Sequence, residues 1–349
     1  MNKLIIKLFG GTGNQLFQFF FALNFSRINK CNLYYDASFL KKNDSWGRFL
    51  TIGKILDYYK IPCSSKLRIK NPIILSENRL LHPKYLLEPT LKKSKKIFIL
   101  EGYFQNYRYI GHLRSEIQSV FSKIINLKNF KNYNFKNSVS LHIRELHNYL
   151  KNKKRVKSGL IKYNDNLSWS YYKKSLDEIN KNSNIKHLLM FSDSQLQTKL
   201  KKKVRKYLKN YSIKIIDTNK KKFEDLETIY LMSLSDNLII ANSTFSWWSA
   251  FISKSKIYCP VFSLWDKHLK SLDNWTQVLD NKNLNPFTIF GKCDYKFNKI
   301  NNATHATNLN SKIILKFKTA SYRLIPSLFI KIYNQKKQQL NYFKKKNIL

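Results

Sequence analysis

A cluster of small polar residues between two apolar runs has the composition of an anion-binding turn. The apolar run 238–241 is followed by Asn242, Ser243, Thr244, Phe245 and Ser246. A second apolar run, which begins with two tryptophans, comes next, so the order predicts a buried strand, a tight turn and a capped helix. Hydroxyls and backbone N–H groups at such a helix N-terminus bind phosphate without a cation. For this segment alone, the alternative interpretation is an ordinary capped helix behind a core strand.

A glycine-rich turn near the N-terminus offers a second surface for a phosphate. It lies between the apolar run 3–9 and an apolar segment that starts at Leu16, and it consists of Gly10, Gly11, Thr12, Gly13, Asn14 and Gln15. Strand, glycine turn and helix open a doubly wound α/β domain, in which glycines let the backbone approach a ligand. The spacing matches neither the dinucleotide fingerprint nor the P-loop, so neither site is predicted. A purely structural turn is the alternative.

Two further apolar runs end in residues that suit a nucleotide. The run 138–144 ends with His142 and Arg144, which alternation along a strand places on the same face. The carboxyl end of a strand is where open α/β sheets bind ligands, and the planar guanidinium of Arg144 suits a diphosphate. The run 187–194 delivers Asp193 to the same edge, where it either caps the next helix or accepts from a base or ribose.

These segments resemble, in the same order along the chain, motifs of the bacterial α-1,2-fucosyltransferases, glycosyltransferase family 11. The similar segments are GGTGNQLFQFFFAL, EGYFQ, SLHIR, FSDS and LMSLSDNLIIANSTFSWWSAF, the last being the most distinctive. The resemblance implies an α/β protein with the GT-B fold, in which two Rossmann-like domains face each other across a cleft. It also implies an inverting, metal-independent transfer of L-fucose from GDP-β-L-fucose to the 2-hydroxyl of a galactoside.

The resemblance further implies roles for individual residues. His142 would contact the guanine side of the donor, Glu227 would hold the guanine edge, and Arg144 would hold the β-phosphate as the catalytic group. The Ser243–Thr244 turn would bind the pyrophosphate, and the glycine turn would face it from the other domain. The implied donor-binding residues are Gly11, Gly13, Asn14, Gln15, His142, Arg144, Asp193, Glu227, Asn242, Ser243, Thr244, Phe245 and Ser246.

The chain departs from the family pattern close to the expected donor. Where the family usually has H-x-R-R-G-D, this chain has HIRELH, so that Glu145 replaces the second arginine. Ser194 replaces the second acid of FSDD, and Thr228 follows Glu227 where the family has an acidic pair. An anion in place of a cation near a diphosphate costs on the order of one to a few kcal/mol of donor affinity. A different nucleotide-sugar donor is therefore the main alternative.

The catalytic base is left open by the sequence, and a metal cofactor is not expected. An inverting transfer requires a base for the acceptor hydroxyl, and the candidates are Asp36, Glu145 and Asp193. Patterns that hold metals, such as H-E-x-x-H, C-x-x-C and D-x-D, do not occur in the sequence. The widely spaced cysteines, which we expect to be reduced thiols, are Cys31, Cys63, Cys259 and Cys293.

The length of 349 residues predicts two domains and a tail. Residues 1–135 form the predicted N-terminal Rossmann-like domain on the acceptor side, and 136–295 form the nucleotide-sugar-binding domain. The boundary is placed in the Lys/Asn-rich stretch 126–137, and 151–166 is predicted to be an exposed basic loop. Residues 296–349 form a basic C-terminal helix and tail.

The charge of the chain is strongly positive, with 64 Lys and Arg against 21 Asp and Glu and a net charge of +43. Such a surface attracts polyanions, including anionic lipid headgroups. The tail 311–349 mixes apolar and basic residues, as in an amphipathic helix on a membrane surface, although a helix packed on the first domain fits equally. No window is apolar enough to span a membrane, and no leader is recognised, so we expect a cytoplasmic protein with peripheral contact to the inner face of the cell membrane.

The expected partners are a nucleotide-sugar donor and a galactose-containing acceptor of a bacterial surface glycan, lipopolysaccharide O-antigen or capsule. In the membrane interpretation the acceptor is lipid-linked. A basic nucleic-acid-binding protein is the other class that the charge allows. Because no RNP-like segment or zinc-finger spacing occurs, no specific nucleic-acid partner is expected.

Overall fold

The computed structural model describes the parts of the chain that carry most of the predicted site. The described residues are 1–42, 48–77, 91, 95–131, 133–144, 167–192, 199–209, 214–217, 223–260 and 275–278. All of them belong to one compact unit, Met1–Asn283. The predictions for Glu145, the basic loop 151–166, Asp193, Cys293 and the C-terminal tail lie outside the described residues.

The first sheet has four parallel strands in the order β2-β1-β4-β3. Its strands are β1 (Lys3–Lys7), β2 (Asn32–Asp36), β3 (Ile73–Ser76) and β4 (Ile97–Glu101). The strand order reverses between β1 and β4, so the loops after these two strands diverge and leave a crevice at their carboxyl ends. The helices of this half are α1 (Thr12–Ile28), α2 (Ser38–Lys42), α3 (Gly53–Tyr58), α4 (Tyr107–Ile110) and α5 (Arg114–Ile124), with short 3₁₀ turns at Ser64–Lys66, Gly111–Leu113 and Leu127–Phe130.

The second sheet has six parallel strands in the order β7-β6-β5-β8-β9-β10. Its strands are β5 (Ser138–Ile143), β6 (His187–Ser192), β7 (Lys214–Asp217), β8 (Asn237–Ile239), β9 (Lys256–Pro260) and β10 (Thr276–Val278). Counted from β5, this is the doubly wound Rossmann order, which reverses between β5 and β8. The helices of this half are α6 (Trp169–Asn182), α7 (Lys199–Lys209), α8 (Asp225–Met232) and α9 (Thr244–Ile252).

Parallel strands need crossover connections, and helices provide them in both halves. The strands are short apolar runs because both faces of such a sheet are covered; every residue of β5, for example, is buried. Two parallel sheets of this kind confirm the α/β class and the GT-B fold that the sequence predicts. Within the described ranges, no helix is both long and apolar enough to cross a bilayer.

Helix α1 joins the two halves through an aromatic contact with α9. The ring of Phe17 lies 4.9 Å from that of Trp247 and 4.8 Å from that of Trp248, and Phe20 lies 5.6 Å from Trp248, all between ring centroids. Both faces of α1 are therefore buried, which explains its apolar sequence on every side. One continuous core includes residues of β1 and of β8.

Candidate active site

The predicted strand, turn and helix around Ser243 are confirmed by the structure. Strand β8 ends at Ile239, and α9 begins at Thr244 with Ser243 as its N-cap, whose hydroxyl accepts from the N–H of Phe245 at 3.2 Å. Ser246 is fully buried, and its hydroxyl accepts from the N–H of Ala241 at 3.2 Å. Ser243 and Ser246 therefore fix the shape of the turn, while Thr244 and the helix N-terminus lie at its partly exposed surface.

The glycine turn packs directly on the N-terminus of α9. A Cβ at Gly13 would lie 2.6 Å from Thr244 Oγ1 and 2.8 Å from the backbone nitrogen of Phe245. The Thr244 hydroxyl donates to Asn14 Oδ1 at 3.1 Å, and Trp248 Nε1 donates to the carbonyl of Gly13 at 2.9 Å. The two segments that the sequence assigns to phosphate binding thus touch each other. The missing side chain of Gly13 makes room for protein backbone.

Gly11 and Gln15 differ in their surroundings. Among the described residues, the nearest atom to a Cβ at Gly11 would be Arg48 Nε, at 4.0 Å, so this side of the turn has a cation beside it. Gln15 is fully buried, and its amide nitrogen donates to the carbonyls of Gly10 and Phe49, each at 3.0 Å. Its amide oxygen accepts from the N–H of Thr51 at 3.1 Å. Gln15 therefore holds the turn in place through neighbouring loops.

The carboxyl end of β5 lies beside the start of α9, because β5 and β8 are neighbours at the reversal of the second sheet. Strand pairing aligns Leu141 with Ile239, so the residues after each strand are brought together. His142 is buried, with its ring 5.9 Å from that of Phe245 between centroids. Arg144 follows β5 directly and is partly buried. The reversal point of a doubly wound sheet is where this fold binds nucleotides.

Glu227 has a structural role that the sequence analysis missed. Glu224 and Glu227 form a capping box at the start of α8, in which the N–H of Glu224 donates to Glu227 Oε2 at 3.2 Å. Lys54 of the first half lies 2.6 Å from Glu224 and 3.7 Å from Glu227. The sequence did contain a signal for this capping box, namely two glutamates three residues apart before an apolar run. The predicted contact of Glu227 with guanine stays a prediction.

Further contacts between the halves have no local sequence signal. The Thr12 hydroxyl donates to the carboxylate of Asp225, 213 residues further along the chain. Gln105 Nε2 donates to Asn14 Oδ1 at 2.7 Å, so this oxygen accepts from both Gln105 and Thr244. Asn14 is thereby fixed between the first sheet and α9. Contacts join the predicted site residues Gly13, Asn14, His142, Ser243, Thr244 and Phe245. Gly11, Arg144 and Asn242 are their neighbours along the chain.

Metal-binding chemistry is not suggested by the described residues. Within the ranges given above, the side chains of His, Cys, Asp and Glu form no group of three or more that could hold a metal ion. Cys31, Cys63 and Cys259 are in that part of the chain and are not joined in disulfide bonds.

The fold belongs to the GT-B class, and the comparisons identify the family of the chain. The model for Glycosyl transferase family 11 matches residues 73–278. Since this match spans more than half of the chain, the protein belongs to glycosyl transferase family 11.

Two curated relatives and one solved structure show what the chain is similar to. Escherichia coli alpha-1,2-colitosyltransferase is 27% identical over 280 residues, which are 72% of this chain and 88% of the relative. The E. coli O-antigen biosynthesis glycosyltransferase WbnK is 25% identical over 287 residues, 70% of this chain and 89% of the relative. The crystal structure of fucosyltransferase NodZ from Bradyrhizobium is 11% identical, with 72% of this chain and 94% of that chain covered and a TM-score of 0.41.

Proposed function

We propose that this glycosyltransferase transfers L-fucose from GDP-β-L-fucose to the 2-hydroxyl of a galactoside in a bacterial surface glycan, with inversion and without a metal. The observation that carries this proposal is the meeting of the β5 end, with His142 and Arg144, and the N-terminus of α9 at the reversal of the second sheet. The relatives support the chemistry, since one is an alpha-1,2-colitosyltransferase and the other works in O-antigen biosynthesis.

The site residues suit a nucleoside diphosphate as leaving group. Negative charge builds on the β-phosphate as the bond to the sugar breaks, and a cation and a helix N-terminus stabilise that charge. Arg144 provides the cation, and α9 provides the helix N-terminus with the Thr244 hydroxyl. In this proposal Arg144 is the catalytic residue for departure of GDP, and the transfer needs no metal to stabilise the diphosphate.

The acceptor hydroxyl must lose a proton as it attacks the sugar. Asp36, Glu145 and Asp193 remain the candidate bases, and Asp36 is the one that lies within the described residues. Its Oδ1 accepts from the N–H of Ser38 at 2.9 Å, at the carboxyl end of β2. Asp36→Asn keeps that acceptor and removes the charge, so it separates a role as base from a role in the turn.

The decisive measurement is release of GDP from GDP-fucose in EDTA, with and without a panel of β-galactosides. We expect acceptor-dependent release by the unaltered chain, and a drop of about 100-fold or more in Arg144→Ala. Arg108→Ala is the matched control, because Arg108 is an exposed arginine on α4. Full activity of Arg144→Ala, or activity that EDTA abolishes, would contradict the proposal.

A second donor is favoured by one residue and one relative. Glu145 stands where the family has an arginine, and one relative transfers colitose, a fucose without its 3-hydroxyl. Competition between GDP-fucose and GDP-colitose separates the two donors. Preferential turnover of GDP-colitose would replace fucose in the proposal and leave the GT-B transferase assignment intact. Glu145→Arg tests whether the exchanged charge weakens binding of either donor.

The proposal includes peripheral contact with an anionic membrane, because lipid-linked acceptors lie there and the chain carries a net charge of +43. Sedimentation with vesicles that contain anionic lipid measures this contact. We expect weaker sedimentation of a variant that lacks residues 334–349. Equal sedimentation of both chains would count against a role of the tail.

A further inference from the structure

The carboxyl edge of the first sheet carries aromatic side chains that are not part of the proposed donor site. The ring centroid of Phe9 lies 4.8 Å from that of Tyr103 and 6.0 Å from that of Phe39, both in edge-to-face geometry. Phe39 and Tyr103 are each 44% exposed. We call Phe9, Phe39 and Tyr103 the aromatic cluster.

The aromatic cluster lies at the reversal of the first sheet. Phe9 follows β1, Tyr103 follows β4, and β1 and β4 are the neighbours between which the strand order changes direction. Phe39 follows β2, the other neighbour of β1. The carboxyl edge at such a reversal is the usual ligand-binding position of an open α/β sheet. The proposed donor site lies at the corresponding position of the second sheet. At the edge of the first sheet, the glycine turn after β1 packs on α9, whereas Phe39 and Tyr103 are exposed.

The backbone beneath the rings is held in place by hydrogen bonds to the side chains of Gln18 and Glu77. Gln18, which is fully buried, accepts from the N–H of Phe9 at 3.1 Å and donates to the carbonyl of Gly102 at 3.2 Å. Glu77 accepts from the N–H of Tyr103 at 2.9 Å. These bonds fix the two chain segments that carry Phe9 and Tyr103. Preorganised, partly exposed aromatic rings are typical of binding surfaces for rigid ligands.

The aromatic cluster is continuous with the donor site through Asn14. Phe9 leads directly into the glycine turn, and Gln105, two residues after Tyr103, donates to Asn14 Oδ1 at 2.7 Å. The same oxygen accepts from Thr244 at the start of α9. The chain segments that carry Phe9 and Tyr103 therefore also hold Asn14, which contacts the helix end proposed to bind the diphosphate.

We propose that the aromatic cluster is the acceptor subsite and that the rings of Phe39 and Tyr103 stack on the galactose unit that receives the sugar. The axial 4-hydroxyl of galactose leaves its opposite face lined with C–H groups. This face matches the electron-rich face of an aromatic ring, while the hydroxyl groups at its rim stay available for hydrogen bonds. The inference rests on the proposed function for the choice of galactose and for the donor site beside which the aromatic cluster is placed.

The test is direct binding of methyl β-D-galactopyranoside and of lactose to the full chain, measured by saturation-transfer NMR with and without GDP. We expect saturation of the C–H face of galactose. Tyr103→Ala and Phe39→Ala should each raise the galactoside Kd by about tenfold, which is the size of effect expected when a contact aromatic is truncated. Tyr103→Phe should keep most of the affinity, because it keeps the ring.

Tyr58→Ala is the matched control, since Tyr58 is 40% exposed in the same half but lies on α3. Phe39→Leu preserves an apolar side chain without a ring, so it should lose galactoside affinity even where an alanine variant is unstable. Thermal melting checks that each variant is folded.

Because no donor sugar is present, the result does not depend on which donor the enzyme uses. Binding that requires the rings in a chain that does not use GDP-fucose would uphold the subsite and reject only the fucosyl assignment. Unchanged galactoside affinity in the folded ring variants would overturn the inference, and so would a lack of saturation transfer from the unaltered chain to the galactosides.

Discussion

At Gly13 the two halves of the enzyme are in close contact. A Cβ there would lie 2.7 Å from the carbonyl carbon of Thr244 and 2.8 Å from the nitrogen of Phe245, which are backbone atoms that cannot move independently. We therefore predict that Gly13→Ala lowers the free energy of unfolding by about 1–3 kcal/mol, the usual range for overpacking. Urea denaturation measures this change, and weaker binding of GDP is expected with it.

Gly53→Ala is the control for this prediction. Apart from its chain neighbours and the backbone of its own helix, no atom in the described part of the chain lies within 4 Å of a Cβ at Gly53, the first residue of α3. Alanine there restricts the unfolded chain and should leave stability unchanged or raise it by up to about 1 kcal/mol. Equal destabilisation by the two substitutions would show that the contact between Gly13 and α9 is not tight.

The two neighbouring tryptophans of α9 provide a second test at this scale. Both are buried, but Trp248 Nε1 donates to the carbonyl of Gly13 at 2.9 Å, whereas Trp247 Nε1 has no hydrogen-bond partner within the described part of the chain. Trp248→Phe leaves a buried carbonyl without its donor, so we predict a loss of stability about 1–3 kcal/mol larger than for Trp247→Phe. Equal losses, measured by urea denaturation, would assign the role of Trp248 to packing alone.

At the scale of single residues, contacts between neighbours in the sequence were predictable, whereas contacts between distant residues were not. Ser243 was identifiable as an N-cap because its partner, the N–H of Phe245, is two residues away. The role of Gln15 was not identifiable, because its amide oxygen accepts from Thr51, 36 residues further along the chain. A glutamine that holds a distant loop and a glutamine that binds a ligand have the same neighbours in the sequence, so the sequence alone does not separate the two roles.

At the scale of elements, α5 holds the C-terminal end of α9, and the proposed donor site is at the other end. Arg114 donates from Nε to the carbonyl of Phe251 at 2.7 Å and from Nη2 to that of Ser253 at 2.8 Å. Gln118 donates to the carbonyl of Ile252 at 3.0 Å. Carbonyls at a helix end lack partners within the helix, so these side chains satisfy them. Helix α9 is thus fixed to the first half at both ends.

A charged contact joins α1, α3 and α5 and should make stability depend on pH. Arg27 donates to both carboxylate oxygens of Glu116 at 2.8 Å, and the Tyr59 hydroxyl donates to Glu116 at 2.7 Å. The hydrogen bonds from Arg27, with that of Tyr59, hold the pKa of Glu116 below its usual value against the opposing effect of burial. This stabilisation is therefore present at neutral pH and lost as the pH falls through the lowered pKa of Glu116.

Glu116→Gln should remove this acid dependence. We predict that the variant is less stable than the unaltered chain at neutral pH by up to about 1 kcal/mol, because the pair is partly exposed and screened by solvent. The difference should shrink as the pH falls through the acid range. A difference that stays constant from neutral to acid pH, in urea denaturation at each pH, would contradict the assignment.

Elements were more predictable than the connection between them. Apolar runs bounded by turn residues located β1, β5, β6 and β8, because parallel strands with two covered faces need such runs. The Lys/Asn-rich stretch 126–137 was chosen as a boundary on composition. It contains Phe130, which is buried and has its ring 5.5 Å from that of Phe223 between centroids. The aromatic residues in this stretch pack against the core, although the lysines and asparagines around them give it the average composition of an exposed linker.

At the scale of the whole molecule, the two Rossmann-like halves share a core. The apolar cluster runs from Leu4 of β1 through α1 to Leu238 of β8. Phe17 and Phe20 are fully buried and contact the tryptophans of α9, and each such side chain contributes about 1.5–3 kcal/mol when buried. Separation of the halves would expose these side chains to water, so the halves should depend on each other for stability.

We therefore predict that residues 1–135, produced alone, do not unfold in a cooperative transition and bind a dye that recognises exposed apolar surface. Production together with residues 136–349 should restore a complex with a cooperative urea transition, because the α1–α9 contact forms again. The full chain, with tryptophan fluorescence and far-ultraviolet circular dichroism as probes, is the control and should give coincident transitions. A sharp transition of residues 1–135 alone would mean that the first half is an independent domain. The aromatic contact would then act in positioning Gly13 and Asn14 at the proposed donor site without being needed for folding.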